Sequence, residues 1–267
     1  MANLLEALGS RVVVGDGAVA AYLYAEGVSL GRSFEGLNLT EPDRVSEAHR
    51  AYLEAGAELI ATNSFAAGKE ALKRHGLEGQ ANEINWKASK LAAHEVGKSG
   101  AWVAGCIGPS GLARAERSGL GAKGTEDLFR SQAGALIDGG AGAILLQAFG
   151  DPEELEIAIG SVRELHHLPV IALLSAGREG TLPGGKNGRR RQRSCAERGR
   201  RWWGWRQRLG RVGVPHYFED FLAEERSFWR LILTRVSQNS RKGGISTPII
   251  LAILRSAWRN YPRWELG

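Results

Sequence analysis

The first 180 residues alternate short apolar runs with longer segments in which apolar residues recur every three or four positions. Apolar runs of this length predict strands, and the three-to-four spacing predicts helices with one buried face. The five predicted strands cover residues 11–17, 58–63, 101–109, 143–151 and 168–174. The four predicted helices cover residues 39–57 (with Thr40 as N-cap), 78–97, 125–141 and 151–165.

The predicted strands are apolar along nearly their whole length rather than at alternate positions. Strands of that kind are buried on both faces, as in parallel sheets covered by helices. Small residues precede two of them, in AGAELI at 55–60 and GGAGAILL at 139–146, which indicates a repeated helix–strand unit. We therefore expect an α/β fold, either a (β/α)8 TIM barrel or an open doubly wound sheet. No strand is followed by G-x-G-x-x-G, which disfavours the dinucleotide-binding form of the open sheet.

The charge of the chain changes where this alternation stops. Residues 1–180 hold 16 Lys and Arg against 23 Asp and Glu, whereas residues 181–267 hold 19 against 6. Six of the eight tryptophans follow residue 200, and ten of the 23 residues from 189 to 211 are arginine. We therefore divide the chain into a barrel portion, 1–180, and a basic Arg/Trp-rich segment, 181–267.

The basic segment lacks the strand–helix rhythm of the barrel portion. We expect it to be irregular, with helices at 218–236 and 247–258, where some apolar periodicity returns. Five βα units cannot close an eight-stranded barrel. We therefore expect the fifth strand to leave its outer edge exposed, which favours aggregation.

Cysteine usage and hydropathy bear on the compartment. The two cysteines, Cys106 and Cys195, are too few for a disulfide framework, so we expect a reducing compartment. The first residues lack the basic start and apolar run of a secretory signal. No stretch holds 18 consecutive apolar residues, the length expected of a membrane-spanning helix. These features predict a cytoplasmic protein with no membrane partner.

Four segments of the barrel portion resemble a known family. They are VVVGDGAVAAYLYAEGV at 12–28, the stretch 34–77 that contains TNSF, VAGCIGPSG at 103–111 and ILLQAFGDPEELEIAI at 144–159. Over about residues 8–180, their order and spacing resemble the homocysteine S-methyltransferase family. The likeness is strongest to the homocysteine-binding half of bifunctional homocysteine methyltransferase/methylenetetrahydrofolate reductase proteins. The resemblance implies a (β/α)8 barrel that binds homocysteine at the carboxyl ends of its strands, and a zinc ion that holds the homocysteine sulfur as a thiolate.

The zinc ligands that the resemblance implies are missing from this chain. A thiol of pKa about 8.5 is a poor nucleophile while protonated, and zinc coordination removes the proton. The family's ligands are three cysteines, one in a G-x-N-C-like motif after the sixth strand and two adjacent near the eighth. This chain has no Cys-Cys pair, and Cys195 lies in the basic segment with no strand before it. Cys106 ends the third strand, where we interpret it as a small buried residue. We therefore assign no metal ligand and no catalytic residue.

The resemblance places substrate-binding residues after three strands. DGAVAA at 16–21 stands where the family has a DGAMGT-like turn, whose backbone N–H groups would receive the substrate carboxylate. The alternative is a tight turn that needs Gly17 for its geometry alone. Gln147 replaces a glutamate that would pair with the substrate ammonium group, and it lacks the charge that strengthens such a bond. The predicted substrate-binding residues are Asp16, Gly17, Ala18, Val19, Asn63 and Gln147.

The codons behind RWWGW at 201–205 offer an account of the basic segment. Tryptophan has the single codon TGG and glycine codons begin with GG, so Trp202 to Trp205 fix most of their bases. In a shifted frame those bases encode an apolar x-Val-Gly-x, which resembles the family's sixth strand. We therefore interpret 181–267 as read out of frame relative to an ancestral gene. A disordered, solvated tail ranks second, and a nucleic-acid- or membrane-binding patch third.

Two functions stay open from the sequence. The first is methyl transfer to the zinc-activated thiolate of homocysteine, which gives methionine and is impaired here because the zinc cysteines are absent. The second is a catalytically inactive remnant, or a binding protein with a basic tail. Homocysteine is the expected small-molecule partner, and nucleic acid is not expected. The methyl donor cannot be read from these residues, since folate, cobalamin-bound methyl, betaine and S-methylmethionine are all used around this family.

Overall fold

The apolar runs form one parallel sheet, and helices alternate with its first five strands. The computed structural model describes residues 4–97, 99–176, 203–207 and 231–233. The strands are β1 (Val13–Gly15), β2 (Leu59–Ala61), β3 (Trp102–Ile107), β4 (Ala143–Phe149), β5 (Val170–Ala176), β6 (Trp203–Gln207) and β7 (Leu231–Leu233). The helices are α1 (Leu4–Ser10), α2 (Val19–Ala25), α3 (Leu37–Thr40), α4 (Pro42–Glu54), α5 (Lys69–Leu72), α6 (Ala81–Val96), α7 (Arg114–Asp138) and α8 (Pro152–Leu165). The strand order β6-β5-β4-β3-β2-β1-β7 gives a partial (β/α)8 barrel, which settles the choice left open by the sequence.

The sheet is buried on both faces, as its continuous apolar strands predicted. On the inner face, alternate strand residues such as Leu59, Cys106 and Leu145 pack with Leu4 and Leu8 of α1. On the outer face, the intervening residues of the strands pack against the buried sides of the helices; they include Ile60, Val103, Ile107, Ile144 and Leu146. The strand period of two therefore separates an inner core from an outer helix-covered core.

The two small-residue phrases form the same helix-ending turn. After α4, Gly56 has φ +94° and Ala57 N–H donates to the carbonyl of Tyr52 at 3.0 Å. After α7, Gly140 has φ +109°, and the N–H of the next residue donates to the carbonyl of Leu136 at 3.1 Å. This is a Schellman motif, which needs a residue in the left-handed region and so favours glycine. The predicted repeat of the helix–strand unit is confirmed.

The start of α4 differs from the sequence prediction. Thr40 is the last residue of α3 instead of an N-cap, and Glu41 stands at the N-cap of α4. Pro42 takes the first helical position, where its missing N–H group leaves no helix bond unmade. The chain therefore turns sharply between two helices at a point where the apolar pattern predicts one.

Two short strands from the basic segment pair with the edges of the sheet. β6 runs parallel to β5 with Ala172 opposite Trp203, and β7 runs parallel to β1 with Val13 opposite Leu231. The expectation of an exposed fifth-strand edge is therefore wrong, and so are the irregular or helical assignments for these eight residues. The physical reason is that the edge of a sheet offers unpaired N–H and C=O groups, which the backbones of these two short segments satisfy.

Much of the basic segment lies outside the described residues. This applies to Cys195, to the predicted helix at 247–258, to all but three residues of 218–236 and to all but five of 189–211. The division at residue 180 and the interpretation of 181–267 as an out-of-frame sequence remain predictions. Within the described ranges, no helix combines the length and hydrophobicity that crossing a membrane requires.

Candidate substrate-binding site

Polar residues follow the strands at one edge of the sheet. Asp16 comes directly after β1, Asn63 comes two residues after β2, and Gln147 lies near the end of β4. Because the strands are parallel, their carboxyl ends meet at one edge, where barrel proteins of this type carry their functional groups. The predicted substrate-binding residues therefore share the carboxyl edge of the sheet, although their role in binding stays a prediction.

Asp16 is a buried residue that ties β1 to β2. Its Oδ2 accepts a hydrogen bond from Ala61 N–H at 2.8 Å, and its own N–H donates to the carbonyl of Leu59 at 2.9 Å. Burial raises the pKa of Asp16 well above its usual value, although the hydrogen bond from Ala61 acts in the opposite direction. The carboxyl group therefore joins two strands, and its burial disfavours the charged form.

Gly17 is required by a close approach of the Tyr52 ring. A Cβ atom at position 17 would stand 2.7 Å from Tyr52 Oη and 2.8 Å from Cε1. The Tyr52 hydroxyl donates to the carbonyl of Ala18 at 3.3 Å, and burial raises its pKa. Ala18 is the N-cap residue of α2, and Val19 is its buried first residue. The need for glycine here is steric, because the backbone of Gly17 is not in the left-handed region.

Both amide N–H donors of Asn63 are hydrogen-bonded within the protein. Its Nδ2 donates to the carbonyl of Phe34 at 2.7 Å and to Asn38 Oδ1 at 3.0 Å. In return, Asn38 Nδ2 donates to the carbonyl of Asn63 at 2.8 Å. A ligand can therefore use only the amide oxygen of Asn63 without breaking one of these bonds.

Two buried amides on the outer helices hold the loop that follows β2. Asn85 of α6 donates through Nδ2 to the carbonyl of Ala67 at 2.8 Å. Gln132 of α7 donates through Nε2 to the carbonyl of Ser64 at 2.9 Å and to Asn85 Oδ1 at 3.2 Å. Sequence analysis missed both residues, although each is an amide within the apolar face of a predicted helix. Such a position favours a side chain that satisfies buried backbone groups.

A buried ion pair joins the loops that follow β3 and β4. Glu154 Oε1 accepts hydrogen bonds from Ser110 N–H at 2.9 Å and from Ser110 Oγ at 2.6 Å. Glu154 Oε2 lies 3.3 Å from Arg117 Nη1, and Arg117 also pairs with Asp151 at the N-cap of α8. These contacts therefore link the two loops to each other at the carboxyl edge. The sequence signal was weak, because an acidic first helical turn is ordinary.

Gln147 contacts the thiol of Cys106. Cys106 Sγ donates to Gln147 Oε1 at 3.2 Å, and the side chain of Gln147 is half-buried. Cys106 is a buried residue of the inner core, which confirms its interpretation as a small buried side chain. Its N–H donates to Thr62 Oγ1 at 2.9 Å, and its carbonyl accepts from Ser64 Oγ at 2.7 Å. The end of β2 therefore positions the thiol that meets Gln147.

The backbone next to Gln147 departs from a regular strand. Ala148 has φ +62°, a left-handed conformation that costs a residue with a side chain about 1 kcal/mol or more. The pairing of β4 with β5 passes from Leu146–Ala172 to Phe149–Leu174, so β4 holds one extra residue. This β-bulge re-aims the side chains at the edge, a feature that is frequent beside functional sites.

The described residues do not fit a zinc site of the kind the family resemblance implies. The described ranges contain one cysteine, Cys106, and its thiol is hydrogen-bonded to the side chain of Gln147. Across the described part of the chain, no three His, Cys, Asp or Glu side chains are grouped so that they could hold a metal ion. Three thiolates at one point need cysteines from other strands, and the chain has just one further cysteine, Cys195.

A curled parallel sheet with outer helices and a polar carboxyl edge defines a protein of the α/β-barrel class. A sequence model of the homocysteine S-methyltransferase family matches residues 13–198, which extends beyond residue 180 into the basic segment. The chain belongs to the homocysteine S-methyltransferase family. The partial parallel α/β barrel of the described residues agrees with this assignment.

Individual relatives cover part of this chain and share its fold. Methionine synthase of Mycobacterium tuberculosis is 31% identical over 200 residues, and that of Mycobacterium leprae is 30% identical over 196 residues. Each match covers 67% of this chain and 16% of the relative, so the chain spans about one sixth of their length. The Escherichia coli homocysteine methyltransferase MmuM, in its metallated form, aligns with a TM-score of 0.59 at 25% identity over 71% of this chain and 72% of that one. Its oxidized form aligns with a TM-score of 0.61 at 24% identity over 76% of each chain.

Proposed function

We propose that the described sheet is the homocysteine-binding portion of a methyltransferase and that this chain by itself transfers no methyl group. The cysteine set carries the proposal, because Cys106 is buried against Gln147 and the described residues lack the partners of a three-thiolate site. Zinc, when bound in such a family, withdraws the thiol proton of the substrate. A homocysteine thiol with a pKa of about 8.5 otherwise stays largely protonated at pH 7.

The residues of this chain are suited to binding and orienting the substrate. We propose that the turn of residues 16–19 receives the substrate carboxylate on its backbone N–H groups. The environment of Asp16 supports this, since its raised pKa favours a neutral group that does not repel an anion beside it. The hydrogen bonds from Asn85 and Gln132 to the loop after β2 support this proposal as well, because they hold that part of the carboxyl edge in one conformation.

The setting of the protein follows from the same chemistry. We propose a place in methionine biosynthesis, since methyl transfer to homocysteine yields methionine. A reducing, cytoplasmic compartment suits a chain whose Cys106 lies buried, outside any disulfide, and is hydrogen-bonded to Gln147.

Zinc content and turnover test the proposal together. The purified full-length chain is analysed for metal by mass spectrometry, titrated with L-homocysteine, and assayed for methionine with each of the four classes of methyl donor. Metallated MmuM serves as the positive control. We expect homocysteine binding, zinc far below one ion per chain and no methionine. About one zinc per chain together with methionine formation would show that the chain is an active transferase. Absence of any homocysteine binding would instead identify an inactive remnant.

A further inference from the structure

The amide of Gln147 is oriented by its bond to Cys106. Cys106 Sγ lies 3.2 Å from Gln147 Oε1, with the thiol as the donor and the amide oxygen as the acceptor. The backbone that carries this thiol is held by two hydrogen bonds, from the Cys106 N–H to Thr62 Oγ1 and from Ser64 Oγ to the Cys106 carbonyl. The amide oxygen therefore faces Cys106, and the –NH2 group is the end turned away from it.

The backbone holds Gln147 in this direction. Gln147 and Ala148 together stand against Leu173 of β5, because the bulge inserts one residue into β4. The next residue, Phe149, is fully buried and its ring lies 5.8 Å from that of Phe129. Ala148, in its left-handed conformation, lies between the hydrogen-bonded Gln147 and the buried Phe149. The backbone of Gln147 therefore has little freedom to rotate.

We propose that Gln147 determines specificity by presenting an amide N–H donor to the ligand, so that this position accepts a carboxylate or carbonyl oxygen and does not pair with an ammonium group. The inference rests on the proposed function, since it concerns the same homocysteine-binding edge. An ammonium group has donors and no acceptor, and so does the –NH2 end of an amide. At this position a substrate's α-ammonium group therefore meets no complementary atom.

Carboxylates near the same edge do not replace the missing negative charge. Glu35 Oε1 accepts from Ala66 N–H at 2.9 Å, and Glu154 is bonded to Ser110 and to a guanidinium. Asp16 is buried beneath the first turn, and its Oδ2 accepts a backbone N–H of β2 at 2.8 Å. Each of these three groups is engaged by donors of the protein itself, which lowers its capacity to bind an external cation.

Two ligands that differ in the ammonium group test the proposal. Calorimetric titration under reducing conditions compares L-homocysteine with 4-mercaptobutanoate, which keeps the thiol and the carboxylate and lacks the ammonium. We expect the wild-type chain to bind the two with similar Kd. Gln147→Glu should then favour homocysteine by about fivefold to tenfold, the value of a modest ion pair. A wild-type preference for homocysteine of that size would overturn the proposal.

Two further variants separate orientation from charge alone. Cys106→Ala removes the S–H donor and lets the amide turn its oxygen outward, so the preference for homocysteine should rise with no new charge. Gln80→Glu makes the same charge change at an exposed residue before α6, and it should leave the ratio of the two Kd values unchanged. An unchanged ratio in Cys106→Ala, or an equal rise in Gln80→Glu, would count against an oriented amide.

The orientation can also be measured without any ligand. The infrared S–H stretching band of Cys106, identified by its loss in Cys106→Ala, should lie at lower frequency in the wild type than in Gln147→Leu, since donation weakens the S–H bond. Identical bands would overturn the proposal whether or not homocysteine binds. If neither thiol ligand binds and the band does shift, the proposed function fails while the donor orientation of Gln147 stands.

Discussion

His49 makes the stability of the fold depend on pH. It lies on the buried face of α4, and neither ring nitrogen has a hydrogen-bond partner. Burial lowers its pKa from 6.5 to about 4, against the smaller opposing effect of the Glu95 carboxylate. In the unfolded chain the histidine takes up a proton near pH 6.5, whereas in the folded chain it does so only near pH 4. Unfolding therefore becomes easier as the pH falls between these two values, and above pH 6.5 the residue has no such effect.

The size of the effect follows from the two pKa values. A shift of one pKa unit is worth about 1.4 kcal/mol, so the full loss below pH 4 is about 3 kcal/mol. At pH 5 most of that loss, about 2 kcal/mol, is already present, since the unfolded histidine is then largely protonated. This is a large share of the stability of an ordinary domain, which is about 5–15 kcal/mol.

Denaturant unfolding of the full-length chain at pH 7.5 and pH 5.0 measures this loss. His49→Leu removes the titrating group, so its loss of unfolding free energy between the two pH values should be smaller than that of the wild type by about 2 kcal/mol. His94→Gln is the matched control, since the side chain of His94 is 83% exposed, and it should lose as much as the wild type. An equal loss in His49→Leu and in the wild type would refute the assignment of the pH dependence to His49.

Further variants test other features of the fold, each by thermal unfolding. Gly17→Ala should lower the free energy of unfolding by about 1–3 kcal/mol, because a Cβ atom there meets the Tyr52 ring. Gly160→Ala in α8 should raise it by about 1 kcal/mol, because a Cβ atom there has no neighbouring atom within 4 Å. The opposite order of stabilities would contradict a steric need for Gly17. Ala148→Gly should leave the free energy of unfolding unchanged, whereas Ala148→Val should lower it by about 2 kcal/mol, because β-branched residues resist positive φ. Equal stabilities of the two variants would show that the bulge is unstrained. Glu154→Gln should cost about 1.5 kcal/mol, because the Arg117 guanidinium loses one of its two carboxylate partners and keeps Asp151. The exposed control Glu83→Gln should be neutral. A neutral Glu154→Gln would show that the ion pair adds nothing.

The first five strands and the helices α4, α6, α7 and α8 were predicted because they depend on local pattern, whereas the short helices α1, α2 and α5 were not predicted. Continuous apolar runs are read directly as buried parallel strands, and Gly56 and Gly140 mark helix ends that need a left-handed residue. The break between α3 and α4 was not predictable from apolar spacing, since Glu41 interrupts the helix without interrupting its apolar face. Strands β6 and β7 were missed because their pairing depends on edges formed more than thirty residues earlier in the chain.

The candidate site was predictable in position but not in its hydrogen bonding. Residues that follow parallel strands must share an edge, so Asp16, Asn63 and Gln147 could be grouped without coordinates. Which atoms they leave for a ligand depends on long-range contacts. The donor that orients Gln147 is 41 residues away, and an acceptor of the Asn63 amide is 29 residues away. The sequence shows that these side chains are polar, but the register of the sheet determines which of their donor and acceptor atoms are already hydrogen-bonded within the protein.

The internal bonds of the carboxyl edge narrow what a ligand can contact. Asp16 is buried with its carboxyl group bonded to β2, and Asn63 has given both N–H donors to the protein. Among the predicted residues, three groups therefore remain that can meet a substrate: the half-buried amide of Gln147, the backbone of the turn at 16–19 and the amide oxygen of Asn63. The first two present N–H donors, which suit oxygen acceptors such as a carboxylate, whereas the Asn63 oxygen is an acceptor that suits a donor group of the ligand.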